Sequence, residues 1–369
     1  MSTKQRFIGV MSGTSMDGVD TALVEIEGSH IELLSSLDFP FPEHLKQRLL
    51  NICLGQATNL AEIGELDHLL GHLFADAVNA LLEHANCPAS SITAIGNHGQ
   101  TVYHRPDGAA PFTMQLGDAN IIATKTDIDT VADFRRKDMA LGGQGAPLVP
   151  AFHQSIFAAT DSSVVVLNIG GIANISVLRH NHPVTGYDTG PGNMLMDAWC
   201  QKHHGSKYDQ DALFALEGVI NQSLLNALLA EPYLTRSAPK STGRELFNMP
   251  WLEKMLAAVS IAPQDVQRTL CEYSALTIAN EVQLYQQGAA PELLVCGGGV
   301  HNPLLMSRLA ALLPNWSVRS TEDKGVDCDN MEAMAFAWLA QRRIHNLPSN
   351  LPEVTGASQL ASLGVLYFA

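Results

Sequence analysis

Short apolar runs alternate with polar residues over the first forty positions. Arg6–Met11 and Val19–Ile26 read as β-strands on either side of Ser12-Gly13-Thr14-Ser15-Met16-Asp17-Gly18, and Asp17-Gly18 between two such runs predicts a hairpin. Ile31–Asp38 adds a third strand, so the chain opens as an antiparallel meander. The period then changes. Pro42–Cys53 and Leu60–Asn86 carry apolar residues at helical spacing, with Leu66, Leu69, Leu70, Leu73, Phe74, Val78, Leu81 and Leu82 in one stripe. Ile92–Asn97 predicts a strand, Asn120–Lys125 a helix turn and Asp129–Ala132 a strand. Residues 133–150 hold Arg135-Arg136-Lys137 and then Gly142-Gly143-Gln144-Gly145-Ala146-Pro147. So polar and glycine-punctuated a stretch predicts a crossing between lobes or the lining of a cleft, and a boundary is placed there.

The pattern then starts again. Ser163–Asn168, Gly170-Gly171 and Ile172–Leu178 repeat the strand, glycine turn, strand unit, and helical spacing follows over 193–204, 211–229, 251–259 and 263–287. Leu293–Cys296 is a buried parallel-type strand that runs into Gly297-Gly298-Gly299 and a helix from Pro303 to Leu313, an order that cradles ligands. A helix over Glu332–Arg343 precedes a Pro- and Gly-interrupted tail from Asn350, which ends in the apolar run 363–368. The halves share this order without visible identity, which suggests a duplicated α/β lobe.

The 369 residues are 46% hydrophobic and 16% charged, enough for two or three packed units and incompatible with disorder. Lys and Arg number 22 against 37 Asp and Glu, a formal net charge of −15. Nucleic acid is therefore not the expected partner, since a polyanion needs a basic footprint. An anionic small substrate would need a local arginine. No signal-type apolar region and no membrane-length apolar stretch are visible, so a cytoplasmic location without membrane contact is expected. The six cysteines are scattered without a C-x-x-C pair and read as reduced thiols.

The chemistry gathers at three glycine turns, residues 12–18, Gly170-Gly171 and Gly297–Gly299, each directly after an apolar strand. Glycine lets backbone N–H groups approach phosphate oxygens closely. The first turn lacks the lysine of a Walker A loop, and Asp17 stands where a nucleophile elbow needs its second glycine. One such turn needs no ligand, but three of them with Thr14, Ser15 and Asn174 favour phosphate binding. Asp188, in Gly186-Tyr187-Asp188-Thr189-Gly190-Pro191-Gly192-Asn193, is either part of a helix cap or a general base. Asp17 and Asp20 belong to the hairpin or hold Mg²⁺. Arg135 is the better candidate to grip a carboxylate by its planar fork. The stretch His98-Gly99-Gln100-Thr101 reads either way, and His203-His204 has no partner at metal spacing.

Residues 9–20, Gly99-Gln100-Thr101, Asp133-Phe134-Arg135, the glycine-rich run to Pro150, 168–174, 186–193, Ser241-Thr242-Gly243-Arg244-Glu245 and 296–299 together resemble the anhydro-N-acetylmuramic acid kinase family, from Phe7 to residues 354–357. That family lies in the hexokinase, Hsp70 and actin superfamily. The resemblance implies an α/β protein of two RNase H-like lobes with an ATP cleft between them, an actin/hexokinase-like fold. The first lobe would be 1–133, with the tail 350–369 packing back on it, and the second 134–349.

It also implies ATP and Mg²⁺ as cofactors. Gly13, Thr14, Ser15, Met16, Asp17, Gly18, Val19 and Asp20 would form the first phosphate hairpin, Asn168, Gly170, Gly171 and Asn174 the second, and Gly297, Gly298 and Gly299 the adenosine element. Asp188 would be the catalytic base, with Gln100, Thr101, Arg135 and Glu332 on the sugar and Asp17 and Asp20 as metal candidates. The aspartate usual on the superfamily's first strand is missing, with Gly9 and Met11 in its neighbourhood. The implied reaction opens 1,6-anhydro-N-acetylmuramic acid with water and phosphorylates O6, giving N-acetylmuramic acid 6-phosphate and ADP in peptidoglycan recycling. A homodimer is expected, with 211–229 and 263–287 offering helical faces. Arg244 is either catalytic or paired with Glu245. A levoglucosan-type kinase and an actin- or Hsp70-like ATPase are the rival readings.

Overall fold

Two units divide the chain, residues 1–156 with 330–369 and residues 157–329. The structure, a computed structural model, describes residues 4–369 apart from Thr14, Ser15, Asp17, Leu54, Ala158, Pro239, Ala258 and Val259. Unit 1 begins with β1 (Gln5–Met11), β2 (Gly18–Glu27) and β3 (His30–Pro40), an antiparallel meander in which Met11 faces Asp20 and Asp20 faces Asp38. Then come α1 (Glu43–Cys53), α2 (Leu60–His84), β4 (Ala94–Asn97), the hairpin β5 (Gln100–Arg105) and β6 (Phe112–Leu116), α3 (Ala119–Thr126), β7 (Thr130–Ala132), α4 (Arg136–Ala140) and α5 (Val149–Ile156). The stripe on α2 is buried as its spacing predicts. Leu66, Leu70, Phe74, Val78 and Leu81 pack with Ile8, Val10, Leu23 and Ile95 from the sheet, while Leu69 is only partly covered.

Unit 2 holds β8 (Val164–Ile169), β9 (Ile172–Leu178), β10 (Thr185–Pro191), α6 (Met194–His204), α7 (Leu213–Leu216), α8 (Gln222–Leu229), α9 (Met249–Leu256), α10 (Pro263–Gln283), β11 (Glu292–Cys296), α11 (Pro303–Leu312) and β12 (Ser317–Ser320). The chain returns to unit 1 with α12 (Met331–Ile344) and β13 (Val365–Tyr367), the latter antiparallel to β7. The sheets run β13-β7-β4-β1-β2-β3 and β10-β9-β8-β11-β12. In both, the first strand of the unit has an antiparallel meander of two strands on one side and two parallel strands on the other, and in the first sheet β13 adds antiparallel to β7 at the edge. This is the duplicated RNase H-like order, and the protein is α/β.

The units part at 156/157 and 329/330, where the sequence placed the divisions at 133/134 and 349/350. The reason is close packing in unit 1. A Cβ on Gly9 would collide with Ala333 O and press on Ala337 N, and one on Gly96 would collide with Phe336 O, so the α12 backbone lies directly on β1 and β4. Trp338 of α12 in turn meets Phe152 of α5, ring centroids 5.9 Å apart. The glycine-rich stretch stays in unit 1 because the buried Asp138 carboxylate accepts from Gly145 N at 2.9 Å, Asn350 Nδ2 at 3.0 Å and Thr355 Oγ1 at 2.8 Å.

The helix expected over 211–229 is broken. Asp211 and Ala212 have φ of 54° and 58°, the Asp209 carboxylate accepts from Phe214 N and Ala215 N at 2.8 and 2.9 Å, and the Asn221 side chain caps α8. These residues are therefore no single helical face. On α10 the apolar positions, among them Leu270, Tyr273 and Ile278, are buried inside unit 2. Among the described residues no helix is long and apolar enough to cross a membrane.

Candidate active site

In unit 2 the strand register sets one row across the sheet. Asp188 on β10 faces Asn174 on β9, Asn174 faces Asn168 on β8, and Asn168 faces Cys296 on β11. Neighbouring strands are about 4.8 Å apart, so Asp188 stands roughly 10 Å from Asn168 on the same face. A bulge follows Asp188, between it and Gly190. Asp188 and Thr189 do not cap α6, because β10 runs on to Pro191 and Asn193 occupies the cap position. The Asp188 carboxylate instead takes hydrogen bonds on Oδ2, from Ser241 Oγ at 2.9 Å and Thr242 N at 3.0 Å. Oδ1 takes none from the described residues. Burial pushes the carboxyl above its usual value and Glu245 adds to this, while the two donors pull it back.

The second and third glycine turns meet at the end of β8. Gly192 N and Asn193 N donate to Gly171 O and Gly170 O at 2.9 and 2.8 Å, which fixes the turn against the start of α6. A Cβ on Gly170 or Gly171 would find nothing nearer than 3.6 Å, so the space beside the turn is open. Gly297, at φ +79°, has no room for a side chain because the Asn168 carboxamide and Ile169 backbone lie against it, and Gly299 is pressed onto Ile169. Gly298 has its nearest neighbour, Asn193 Nδ2, 4.0 Å from where a Cβ would sit. Two glycines thus bring the backbone tight onto β8 and the third leaves it uncovered. Such open backbone beside a strand end fits the phosphates of a nucleotide.

In unit 1, Arg135 precedes α4. Its Nη1 donates to Gly145 O at 2.8 Å and its Nη2 to His98 Nε2 at 2.9 Å, which makes Nε2 the acceptor and leaves the ring proton on Nδ1. Burial, and then the Arg135 charge, hold His98 well below its usual value, so this histidine stays neutral. Arg135 itself is pushed down to about 10 by burial, with Glu332 opposing, and burial raises Glu332 against the pull of Arg135. Arg135 Nε and both polar atoms of the Asn97 side chain are buried without a hydrogen-bond partner among the described residues. Unsatisfied donors and acceptors at such a place fit a polar ligand. Gln100 and Thr101 lie close by but are engaged: Gln100 Oε1 accepts from Ser12 Oγ at 2.7 Å, and Thr101 Oγ1 accepts from Gln115 Nε2 at 3.1 Å.

The β1–β2 hairpin forms as predicted. Met16 is buried with φ of 53°, its N–H donates to Gly13 O at 3.2 Å, Gly18 faces Pro40, and Val19 is buried. Thr14, Ser15 and Asp17 lie outside the described residues. Asp20 supplies a half-buried carboxylate near this turn, and Mg²⁺ takes one or two carboxylates together with substrate phosphates. On β1, Gly9 lies under α12 and leaves no space there for a side chain. Among the described residues one group, His301, Cys328 and Asp329, has a metal-binding composition. Its donors are already committed: His301 Nε2 is 2.9 and 3.0 Å from the Asp329 oxygens, and burial pushes the Cys328 thiol up to about 12.

Sequence reasoning passed over Asn97 as a binding residue, and in unit 2 it assigned nothing to Lys240, Glu281 or Tyr233. The fold alone brings these to Arg135 and Asp188. The family described as anhydro-N-acetylmuramic acid kinase matches residues 5–369. A protein of that name from Vibrio parahaemolyticus is 69% identical over 367 residues, covering 100% of this chain and 99% of the relative. One from Vibrio cholerae is 66% identical over 368 residues with both chains fully covered, and one from Mannheimia succiniciproducens is 54% identical over 371 residues, covering 99% of each. Among solved structures, a ROK hexokinase from Thermus thermophilus aligns at 14% identity and TM-score 0.37 over 92% of this chain and 99% of its own. The full-length match and the high identities show that the chain belongs to the anhydro-N-acetylmuramic acid kinase family and is a phosphotransferase.

Proposed function

We propose that the chain uses ATP and Mg²⁺ to convert 1,6-anhydro-N-acetylmuramic acid and water to N-acetylmuramic acid 6-phosphate, with ADP as the second product, as a step in peptidoglycan recycling. The observation that carries this reading is Asp188, half-buried, with Oδ2 tied down and Oδ1 free of hydrogen bonds from the described residues. Such a carboxylate is built to accept a proton. Oδ1 takes a proton from water as the water oxygen bonds to the anomeric carbon. The bond from that carbon to O6 breaks, and O6 forms its bond to the γ-phosphorus as ADP leaves. One base thereby serves both hydrolysis and phosphoryl transfer.

Each unit has its own share in this proposal. Unit 2 supplies Asp188, the backbone of Gly170 and Gly171 for the nucleotide phosphates and Gly297–Gly299 for its adenosine part, beside the row that holds Asn168 and Asn174. Unit 1 supplies the β1–β2 turn and, at Arg135, the cation that the sugar's lactyl carboxylate requires in a protein of charge −15. Glu332 and Asn97 are suited to the sugar's hydroxyl and amide groups. Mg²⁺, when bound, offsets charge on the transferring phosphoryl group, and Asp20 is the described carboxylate suited to hold it.

General-base help is worth about 10²–10⁴ in rate. Asp188→Asn is therefore expected to lose at least about a hundredfold in kcat while its ATP dissociation constant stays unchanged, read by ADP release and by calorimetry. An active Asp188→Asn enzyme removes the proposal. Product mass decides the rest: one phosphate plus one water added to the anhydro sugar is the expected result. Turnover of levoglucosan alone would change the substrate, and ADP release without sugar would point to an ATPase.

A further inference from the structure

Asp188 lies on β10, the edge strand of its sheet, and edge strands leave backbone groups without a strand partner. At Asp188 both backbone groups are nevertheless held: its N–H donates to Lys240 O at 3.1 Å, and its C=O accepts from Tyr233 Oη at 2.7 Å. Lys240 directly precedes Ser241 and Thr242, the two donors to Oδ2. Its own side chain is buried, at 2% exposure, with Nζ 2.6 Å from Glu281 Oε1 on α10 and donating to Leu234 O at 3.1 Å. The ammonium also lies over the rings of Tyr233 and Tyr187, 5.2 and 5.9 Å from their centroids. Glu281 Oε2 accepts from Tyr187 Oη at 2.8 Å, and Tyr187 is the residue before Asp188. A buried ion pair of this kind is a weak source of stability compared with apolar packing. What it does supply is a fixed geometry.

We infer that the Lys240–Glu281 pair is a positioning device for Asp188, pinning residues 240–242 against β10 so that Oδ2 is held and Oδ1 is left to react. The inference rests on Asp188 being the base. Lys240 and Glu281 act through the loop and touch no reacting atom, so they are positioning residues. The charged and titratable groups around Asp188 are Glu245 beyond the loop, Tyr233 from the turn at 232–235 with Arg236 over its ring, Tyr187 on β10, and Lys240 with Glu281 behind them. The Ser241 and Thr242 donors lower the Asp188 carboxyl, whereas burial and Glu245 raise it. Loosening the loop removes the lowering influence. The acid limb of the kcat profile then moves to higher pH.

The test compares full-length Lys240→Met, Glu281→Gln, Ser241→Ala and Lys240→Arg with the parent protein. The readouts are kcat against pH, KM for ATP, circular dichroism, and titration of the Asp188 carboxyl carbon by NMR in aspartate-labelled protein, assigned with Asp188→Asn. Lys240→Met and Glu281→Gln are expected to lose about tenfold in kcat and to raise both the acid limb and the Asp188 titration by about half a pH unit or more. Ser241→Ala shifts both in the same direction, Lys240→Arg restores them, and KM for ATP changes by less than about twofold. Folded Lys240→Met or Glu281→Gln protein with the parental limb and titration, whatever its melting temperature, would overturn the inference. If neither folds, Ser241→Ala and Thr242→Pro, which remove the two donors to Oδ2 in turn, decide it, since an unmoved titration in both denies the loop any hold on Asp188. An active Asp188→Asn enzyme beside a shifted Asp188 titration in Lys240→Met would instead refute the base and leave the positioning intact.

Discussion

Asp188 and Arg135 are both half-buried, and burial moves them in opposite senses. The carboxyl rises above the usual aspartate range, which makes its ionised form a stronger base. A base works only when deprotonated, so kcat falls as pH drops through this raised value, and the acid limb is expected above that of a free aspartate. A kcat profile flat down to the ordinary carboxylate range contradicts this. The guanidinium falls to about 10 but keeps its charge at neutral pH. Arg135→Ala is expected to raise KM for the sugar about tenfold or more with KM for ATP unchanged, as steady-state kinetics would show, because the proposed partner of the sugar's carboxylate, a charged guanidinium with Nε open, is then gone. Arg135→Lys does not restore it, since one ammonium cannot replace the fork that holds Gly145 O and His98 Nε2.

Both residues were candidates in the sequence, Asp188 beside a helix-cap reading that the strand β10 removes and Arg135 as the cation leaving a strand for a glycine-rich stretch. Lys240, Glu281 and Tyr233 were not, because the contacts that bring them to β10 join positions tens of residues apart. Asn97 was passed over because it reads as the last residue of a strand, and only its two unsatisfied atoms mark it out.

Elements followed the hydrophobic period closely where one face is buried. The β1–β3 meander, α2, α10, β8, β9 and β11 lie within a few residues of their predicted spans. The period failed at 211–229 because Asp209 draws the N–H groups of Phe214 and Ala215 and the chain passes through two left-handed residues. It also missed the β5–β6 hairpin, whose Tyr103, His104 and Arg105 are exposed and leave no apolar alternation to read. Packing of α12 on the sheet gives a sharp expectation. Gly9→Ala forces a methyl group into the Ala333 carbonyl, and since helix backbone cannot step aside as a flexible side chain can, a loss of about 1–3 kcal/mol is expected. Thermal unfolding checks it, and Gly64→Ala, exposed on α2 with nothing within 4 Å of its Cβ, is the control expected to keep or slightly raise the parental melting temperature, since alanine is the better helix former.

For the whole molecule, the repeated strand order was visible as two strand, turn, strand openings, but the boundaries were not. Residues 133–150 look like a linker because they are polar and rich in glycine, yet Asp138 ties them to Asn350 and Thr355 within unit 1. Unit 2 is continuous and unit 1 is not. A fragment of residues 157–329 is therefore expected to unfold cooperatively on its own, and residues 1–156 without α12 and β13 are not, as melting curves of the two fragments would show.

The split in unit 1 also has a meaning in time. A ribosome delivers β1 and β4 early, with Gly9 and Gly96 open to water, and the helix that must lie on them only after all of unit 2 has emerged. Growth therefore offers a complete unit 2 beside an unfinished unit 1. Unit 1 is completed only as α12 and then β13 arrive, and a chain interrupted before Met331 would be left with an exposed sheet and handled by the cell as unfolded protein rather than as a weakened enzyme.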